Sequence, residues 1–203
     1  MKKVYLVAAL AAMSLFGAQA QKIKLAEGSL AFLKGEANLN VVFDYSTMLV
    51  DGKSEAKWVD AEVKGKNKEE AKKGDAWKKE WEGTYRTDNF EPRFINDLNG
   101  DLNGVLTAGE FPKAKYQATV KTVTIVPGTS AGPFSRAAVV AVDVIFTKVG
   151  SSEVLAKVTI SKAVTNMNNL ADAFVIERRI ANAYGQAGEK LGEFIVKALK
   201  KVK

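Results

Sequence analysis

Four segments have the residue pattern of a β-strand, and three of them alternate hydrophobic and polar residues with a two-residue period. Residues 39–45 and 116–126 each place every second side chain on one apolar face, and the second of these stops at a Pro-Gly pair. Residues 137–147 are apolar on both faces, which predicts the middle of a covered sheet. Residues 153–163 follow a Gly-Ser-Ser turn and predict the second arm of a hairpin. Its inward-facing side chains are predicted to be Val154, Ala156, Val158 and Ile160.

Helical spacing dominates the rest of the chain. A charge-dense stretch, residues 62–82, carries lysines and acids in nearly equal number and predicts a solvated helical face. Residues 177–200 predict a long amphipathic helix with lysines toward its C-terminal end. Two further apolar stripes repeat every four residues and predict core contacts. The first consists of Trp77, Trp81 and Tyr85, and the second of Phe90, Phe94, Leu98 and Leu102.

The order of these elements is strand, helices, three strands and helix, with no Pro-, Gly- or Ser-rich linker between them. This order predicts one α+β domain over residues 21–203, an α/β arrangement of two to three layers. We expect a mixed, mostly antiparallel sheet of about four to five strands covered by helices, with the long helix at the C-terminus.

The first twenty residues have the three-part pattern of a signal peptide. Lys2 and Lys3 precede a short apolar run, residues 4–16, and Ala18 and Ala20 stand at the −3 and −1 positions of a cleavage site. We therefore expect cleavage after Ala20 and a periplasmic or envelope-associated protein. The chain has no cysteine to carry a lipid, so we do not expect a lipoprotein, and we expect no transmembrane segment after cleavage.

The amino-acid composition restricts the kinds of site and reaction that this protein can support. Of 203 residues, 47% are hydrophobic and 26% charged, so the chain is long enough and apolar enough to form a core. It contains neither cysteine nor histidine, which excludes disulfides, zinc fingers, iron–sulfur clusters and triads or dyads that need those residues. The net charge is +7, but lysines are interspersed with acids, so we expect no nucleic-acid partner. We predict no cofactor and no enzymatic activity.

One segment has the spacing of a calcium-binding loop. Asn99, Asp101 and Asn103 occupy positions 1, 3 and 5 of an EF-hand, a glycine occupies position 6, and Glu110 occupies position 12. Position 1 lacks a carboxylate, however, and a Phe-Pro pair follows Glu110. The apolar stripe of the preceding helix also continues to Leu102, which would spread the ligands around a helix axis. The prediction is no metal site, with this loop as the alternative.

Three shorter patterns resemble parts of binding or catalytic motifs, but a structural role explains each of them better. Gly52-Lys53-Ser54 resembles the end of a phosphate-binding loop, but Thr47 stands where the first glycine is required, so a turn and an N-cap serine are predicted. Ser54 and Lys57 match the Ser-x-x-Lys of penicillin-recognising enzymes without the companion motifs. Asp97 and Asp101, four residues apart on one helix, predict a solvated surface and not a carboxylate pair across a cleft.

Three glycines interrupt the C-terminal helix. Each of Gly185, Gly188 and Gly192 costs about 1 kcal/mol of helix propensity relative to alanine, and together with Ala181 they form one stripe. A stripe of small residues predicts a close backbone approach. We expect it to pack on the protein's own sheet, with a dimer contact as the alternative.

Four strings of sequence carry a resemblance. Residues 40–46, 77–81, 114–128 and 179–191 resemble a group of small exported proteins of the Bacteroidetes that have no assigned activity. The order of elements is also similar to that of the N-terminal α/β domain of TolB and of the curli-secretion lipoprotein CsgG. This chain departs from CsgG because it lacks the lipidated cysteine. The resemblance implies export and a small α/β domain, and it supplies no site residue.

These observations favour the hypothesis that the protein is a non-catalytic module of the cell envelope that binds a partner protein or a surface component. A calcium-dependent binding module acting through residues 99–110 is the first alternative. A small hydrolase that uses carboxylates is the second, since a site assembled by folding leaves no local pattern. The sequence leaves the partner and the oligomeric state open.

Overall fold

The computed structural model describes residues 23–130, 135–165 and 174–202. The predicted signal peptide lies outside these residues and stays a prediction. The strands are β1 (Ile23–Gly28), β2 (Asn38–Asp44), β3 (Leu49–Val50), β4 (Lys53–Ser54), β5 (Thr107–Gly109), β6 (Tyr116–Val126), β7 (Val139–Lys148) and β8 (Ala156–Val164). The α-helices are α1 (Glu55–Glu69), α2 (Lys73–Glu82), α3 (Glu91–Leu102) and α4 (Ile176–Leu199). A 3₁₀ turn (Ala31–Leu33) and a π-helix (Arg86–Phe90) complete the elements described.

All eight strands belong to one mixed sheet, whose main order is β1-β8-β7-β6-β2-β5. The long hairpins β6–β7 and β7–β8 and the edge pair β1–β8 are antiparallel, while β2 runs parallel to both β5 and β6. β3 pairs with β6 further along and turns back into β4. The α+β class, the mixed sheet and the C-terminal helix are confirmed, but the sheet has more strands than the four to five predicted.

One face of the sheet lies under α3 and α4 and forms a single core with them. Val142, Val144 and Phe146 of β7 are fully buried there. The other face of β7 is only partly buried, because Asp143 and Ile145 remain partly exposed, so the prediction of a strand covered on both sides was wrong. That face is polar across the sheet. One row of facing residues consists of Lys24, Thr159, Asp143, Lys121 and Asp44.

Asp51 and Gly52 form the turn of the hairpin between β3 and β4. Asp51 and Gly52 both have positive φ, 49° and 72°, as a two-residue hairpin turn of this kind requires. Ser54 then occupies the N-cap position of α1, as predicted, but its side chain makes no capping hydrogen bond. Helix α1 ends before Glu70, and Lys72 adopts a left-handed conformation ahead of α2. The charged stretch therefore forms two helices rather than one face, and this break was not predicted.

The two aromatic and aliphatic stripes occupy the core. Trp77 and Trp81 pack with Trp58 of α1, with ring centroids 5.6 and 4.7 Å from that of Trp58. Four residues of the second stripe are buried. These are Phe90, Phe94, Leu98 and Leu102. Strand β8, in contrast, begins only at Ala156, and Val154 is 42% exposed, which corrects its predicted inward position.

The glycine stripe of α4 packs against α3 and not against the sheet. A Cβ atom added to Gly188 would lie 2.2 Å from the carbonyl oxygen of Phe94, and one on Gly192 would lie 2.7 Å from the Cβ of Asp101. Small residues let two helix backbones approach this closely. The close approach was predicted correctly, but its partner was not.

Candidate functional site

An open cleft of about 390 Å³ lies along the edge of β2, where β5 stops pairing with it. β5 pairs with residues 38–40 of β2, and β4 pairs with β3 further along. Between these two short strands, residues 41–44 pair with β6 on one side and, within the described residues, with no strand on the other. The cleft is lined by Asn40, Val41, Val42, Phe43, Glu91, Ile95, Glu110 and Pro112.

Asn40 fixes the segment that leaves β5 at one end of the cleft. Its side chain is 7% exposed and uses both ends of its amide. The oxygen accepts a hydrogen bond from the backbone N–H of Phe111 (2.9 Å), and the nitrogen donates to Gln117 Oε1 on β6 (3.0 Å). Pro112 follows and has no N–H to offer a neighbouring strand. The chain therefore turns away from β2. Val41 is still buried at this point, but the next three residues of β2, Val42, Phe43 and Asp44, are partly exposed.

Glu91 forms the wall of the cleft on the side of α3. It is the first residue of that helix, and it accepts a hydrogen bond from the hydroxyl of Tyr45 (3.2 Å). Burial raises the pKa of Glu91 above its ordinary value, and the negative charge of Glu110 adds to the rise. The Tyr45 hydrogen bond and Arg86 lower the pKa but do not cancel the rise. Two carboxylates, one of them partly desolvated, thus share the cleft.

A polar network behind Glu91 holds this wall. The Arg86 guanidinium pairs with the carboxylate of Glu55 and lies 4.5 Å from the ring centroid of Tyr45. Trp81 Nε1 donates to the same Glu55 oxygen (2.6 Å). Burial is the main cause of a raised pKa at Tyr45, so this hydroxyl stays protonated. In the part of the chain that is described, Arg86 Nε is buried without a hydrogen-bond partner.

The π-helix Arg86–Phe90 is what brings these groups together. Its wider turn ends at Phe90, which stacks on Tyr184 of α4 at 5.3 Å between ring centroids, while Arg86 at its start reaches Tyr45 and Glu55. Tyr184 is fully buried and shares a hydrogen bond with Thr122 of β6 (2.7 Å). π-Helical turns are uncommon and are frequent at functional sites. The turn connects the core to the wall of the cleft.

The four residues with calcium-loop spacing do not converge: Asn99 and Asp101 lie on α3, Asn103 caps it, and Glu110 follows β5. The side chain of Asn99 donates to the carbonyl of Ala108 and accepts from its N–H, both at 2.8 Å. Asp101 faces α4, where burial and then Glu189 and Glu193 raise its pKa. Asn103 is the left-handed C-cap of α3, and Glu110 lines the cleft. Within the described residues, no group of three or more acidic side chains is arranged to hold a metal ion.

The other motifs have structural roles. Gly52 forms the β3–β4 turn, and Ser54 precedes α1. Asp97 does not lie on the open surface that was predicted for it. Its side chain is 17% exposed and accepts a hydrogen bond from Arg93 Nε (2.9 Å) beside the glycine stripe.

The sequence pattern pointed to Glu110 only as a possible calcium ligand, and it gave no indication of Glu91 or Asn40. These residues come from three separate segments, and only the parallel pairing of β2 with β5 brings them to one cleft. The pair Phe111-Pro112 was the one available signal, because a proline after a short apolar strand marks the place where pairing stops.

No helix within residues 23–130, 135–165 and 174–202 has the length and apolar character needed to cross a membrane.

No family model matches the chain, and no curated protein matches it. A leucine-to-methionine variant of the PelC dodecamer from Paraburkholderia phytofirmans is similar with a TM-score of 0.42 and 12% identity, over 90% of this chain and 98% of that one. A second PelC dodecamer structure from the same organism has a TM-score of 0.41 and 12% identity, over 88% and 96%. These scores support no transfer of function, and the predicted resemblance to exported Bacteroidetes proteins stays a prediction.

Proposed function

We propose that the chain is an exported, non-catalytic module of the cell envelope that binds a partner protein. The observation that carries the proposal is the edge of β2 between β5 and β4, where Val42, Phe43 and Asp44 are partly exposed. A strand edge presents backbone N–H and C=O groups in a row, and other chains pair with such groups readily. The predicted signal peptide supports export, and the apolar side chains and carboxylates that line the cleft offer contacts for a bound peptide.

Site-specific photo-crosslinking tests this function. A photoreactive phenylalanine analogue replaces Val42, which lines the cleft, and in a matched variant it replaces Val154, which is 42% exposed in the turn before β8. Both variants are expressed in the native host and irradiated in intact cells. We expect a discrete protein adduct at position 42 that is absent at position 154. The same adducts at both positions, or none at position 42, would contradict the proposal.

A carboxylate hydrolase is the second candidate. Glu91 and Glu110 lie in one cleft, and the raised pKa of Glu91 is the property that a general acid requires. A broad hydrolase screen of the wild type, Glu91→Gln and Glu110→Gln tests it. Activity that is lost in both variants would favour the hydrolase over the binding module.

A further inference from the structure

We infer that the partner presents an extended, lysine- or arginine-bearing segment that pairs as an added strand along residues 41–44 of β2. The inference rests on the proposed function and names the partner's chemistry. Four strand residues span roughly 13 Å. The segment would lie between β5 and β4, continuing the row of strands that already borders β2 and β3 on this side.

The two edges of the sheet differ in how open they are to pairing. β1 carries Lys24 and has a register irregularity between Leu25 and Glu27, and both a lysine and a bulge discourage edge-to-edge association. Residues 41–44 of β2 contain neither a lysine, a proline nor an irregularity, and their pairing with β6 is regular. The structure therefore keeps this short stretch suited to strand addition while β1 is protected.

The negative charge of the cleft determines which partner segment can bind in it. The side chains that line the cleft include two carboxylates, Glu91 and Glu110, and no lysine or arginine. Asp44 lies at the end of the stretch, outside the lining of the cleft, and its pKa is lowered by its hydrogen bonds with Ser46 and by the charge of Lys121, which faces it on β6. The apolar residues Val42, Ile95 and Pro112 line the same cleft as Glu91 and Glu110. A strand that alternates basic and apolar residues matches this lining, whereas an acidic strand is repelled.

Peptide binding tests the inference on the purified full chain. The probe is a fluorescent hexapeptide of alternating valine and lysine, titrated at low ionic strength with anisotropy as the readout. Two comparison peptides carry glutamate in place of lysine, or N-methyl groups on alternate backbone nitrogens. We expect the lysine peptide to bind at least about tenfold more tightly than either, because the first lacks the charge match and the second lacks half of the strand hydrogen bonds.

A pair of charge reversals locates the site. Glu110 is exposed and lines the cleft, and Glu153 is exposed in the turn before β8, so neither change threatens the fold. We expect Glu110→Lys to weaken the lysine peptide by about tenfold and Glu153→Lys to change its affinity less than about twofold. Equal effects of the two reversals, undiminished binding of the N-methylated peptide, or no binding of the lysine peptide would overturn the inference.

The crosslinking experiment separates the two proposals. If the lysine peptide fails to bind while position 42 still gives a discrete adduct, the added strand is overturned and the binding function stands. If position 42 gives no adduct and the peptide also fails, both are overturned.

Discussion

The carbonyl oxygen of Phe94 on α3 lies 2.2 Å from where a Cβ atom on Gly188 of α4 would be. No side chain can be accommodated at this crossing without moving one of the two backbones. Gly185 and Gly192 meet α3 at the neighbouring turns. The stripe therefore sets the distance between the two helices that cover the sheet.

Gly188→Ala should destabilise the fold by about 1–3 kcal/mol, because the added methyl meets a backbone oxygen that cannot rotate away. The matched control is Gly100→Ala, since Gly100 is exposed on α3 and a Cβ there meets nothing within 4 Å. The control should gain about 0.5–1 kcal/mol from helix propensity. Urea unfolding measures both, and a gain in stability at position 188 would refute the close packing.

Val142→Asp should abolish cooperative folding. Val142 is fully buried in the centre of the sheet, and an unpaired buried charge costs several kcal/mol, on the order of the whole stability of a domain. Val123→Asp is the control in the neighbouring strand, where Val123 is 40% exposed at a register irregularity of β6. Thermal melting followed by circular dichroism should show a normal transition for the control alone.

Glu91→Gln should stabilise the protein more at pH 7 than at pH 4. Burial raises the folded-state pKa of Glu91, so the folded state binds this proton more tightly than the unfolded state does. The wild type therefore gains stability as pH falls through the raised folded pKa toward 4.5, the ordinary value, and the glutamine variant lacks that gain. Urea unfolding of both proteins at the two pH values measures the difference. A stability difference that did not depend on pH would contradict the assignment.

Glu55→Met should cost about 3–5 kcal/mol, because it leaves the mostly buried Arg86 without its carboxylate and Trp81 Nε1 without its acceptor. The double variant Glu55→Met with Arg86→Met removes both charges and should be less destabilised than the single variant. A double-mutant cycle in denaturant isolates the coupling. Additive losses would mean that the two residues do not depend on each other.

Asn99→Asp distinguishes the calcium alternative from the observed structure. In a calcium loop the new carboxylate would complete position 1 and strengthen binding. In the fold described, a carboxylate at this position could accept from the N–H of Ala108 but could not donate to its carbonyl, so we expect a loss of about 1–3 kcal/mol. Thermal melting with and without CaCl₂ decides between them: an increase in Tm on adding calcium would support the loop.

The sequence could predict the elements whose side chains sit on one clear face. Tyr116, Ala118 and Val120 of β6 are buried and alternate with partly exposed residues, and the stripe from Phe90 to Leu102 keeps strict helical spacing, so both elements were identified. β1 was missed because, at the edge of the sheet, five of its six residues are exposed and the alternation disappears. The break before α2 was missed because Lys72, a lysine in left-handed conformation, carries none of the usual glycine signal.

The candidate site could not be predicted because it depends on pairing and not on motif. Glu91 and Glu110 are separated by a helix and by β5, and each taken alone is an ordinary surface acid. Only the three-residue length of β5 determines where the edge of β2 opens. The length of an edge strand is set by tertiary contacts, which local sequence patterns do not encode. One such contact is the pair of hydrogen bonds between the side-chain amide of Asn99 and the backbone of Ala108.

The irregular register of β1 limits how copies of this chain can join through the edges of their sheets. A sheet with two receptive edges can recruit copies of itself end to end, as fibrils do, whereas a sheet with one protected edge cannot extend through that edge. The extra residue between Leu25 and Glu27 distorts the β1 ladder, and Lys24 adds a charge that another β-strand would have to desolvate. Through these few residues β1 is a poor partner for another strand, so copies of this chain are discouraged from joining end to end through the β1 edge.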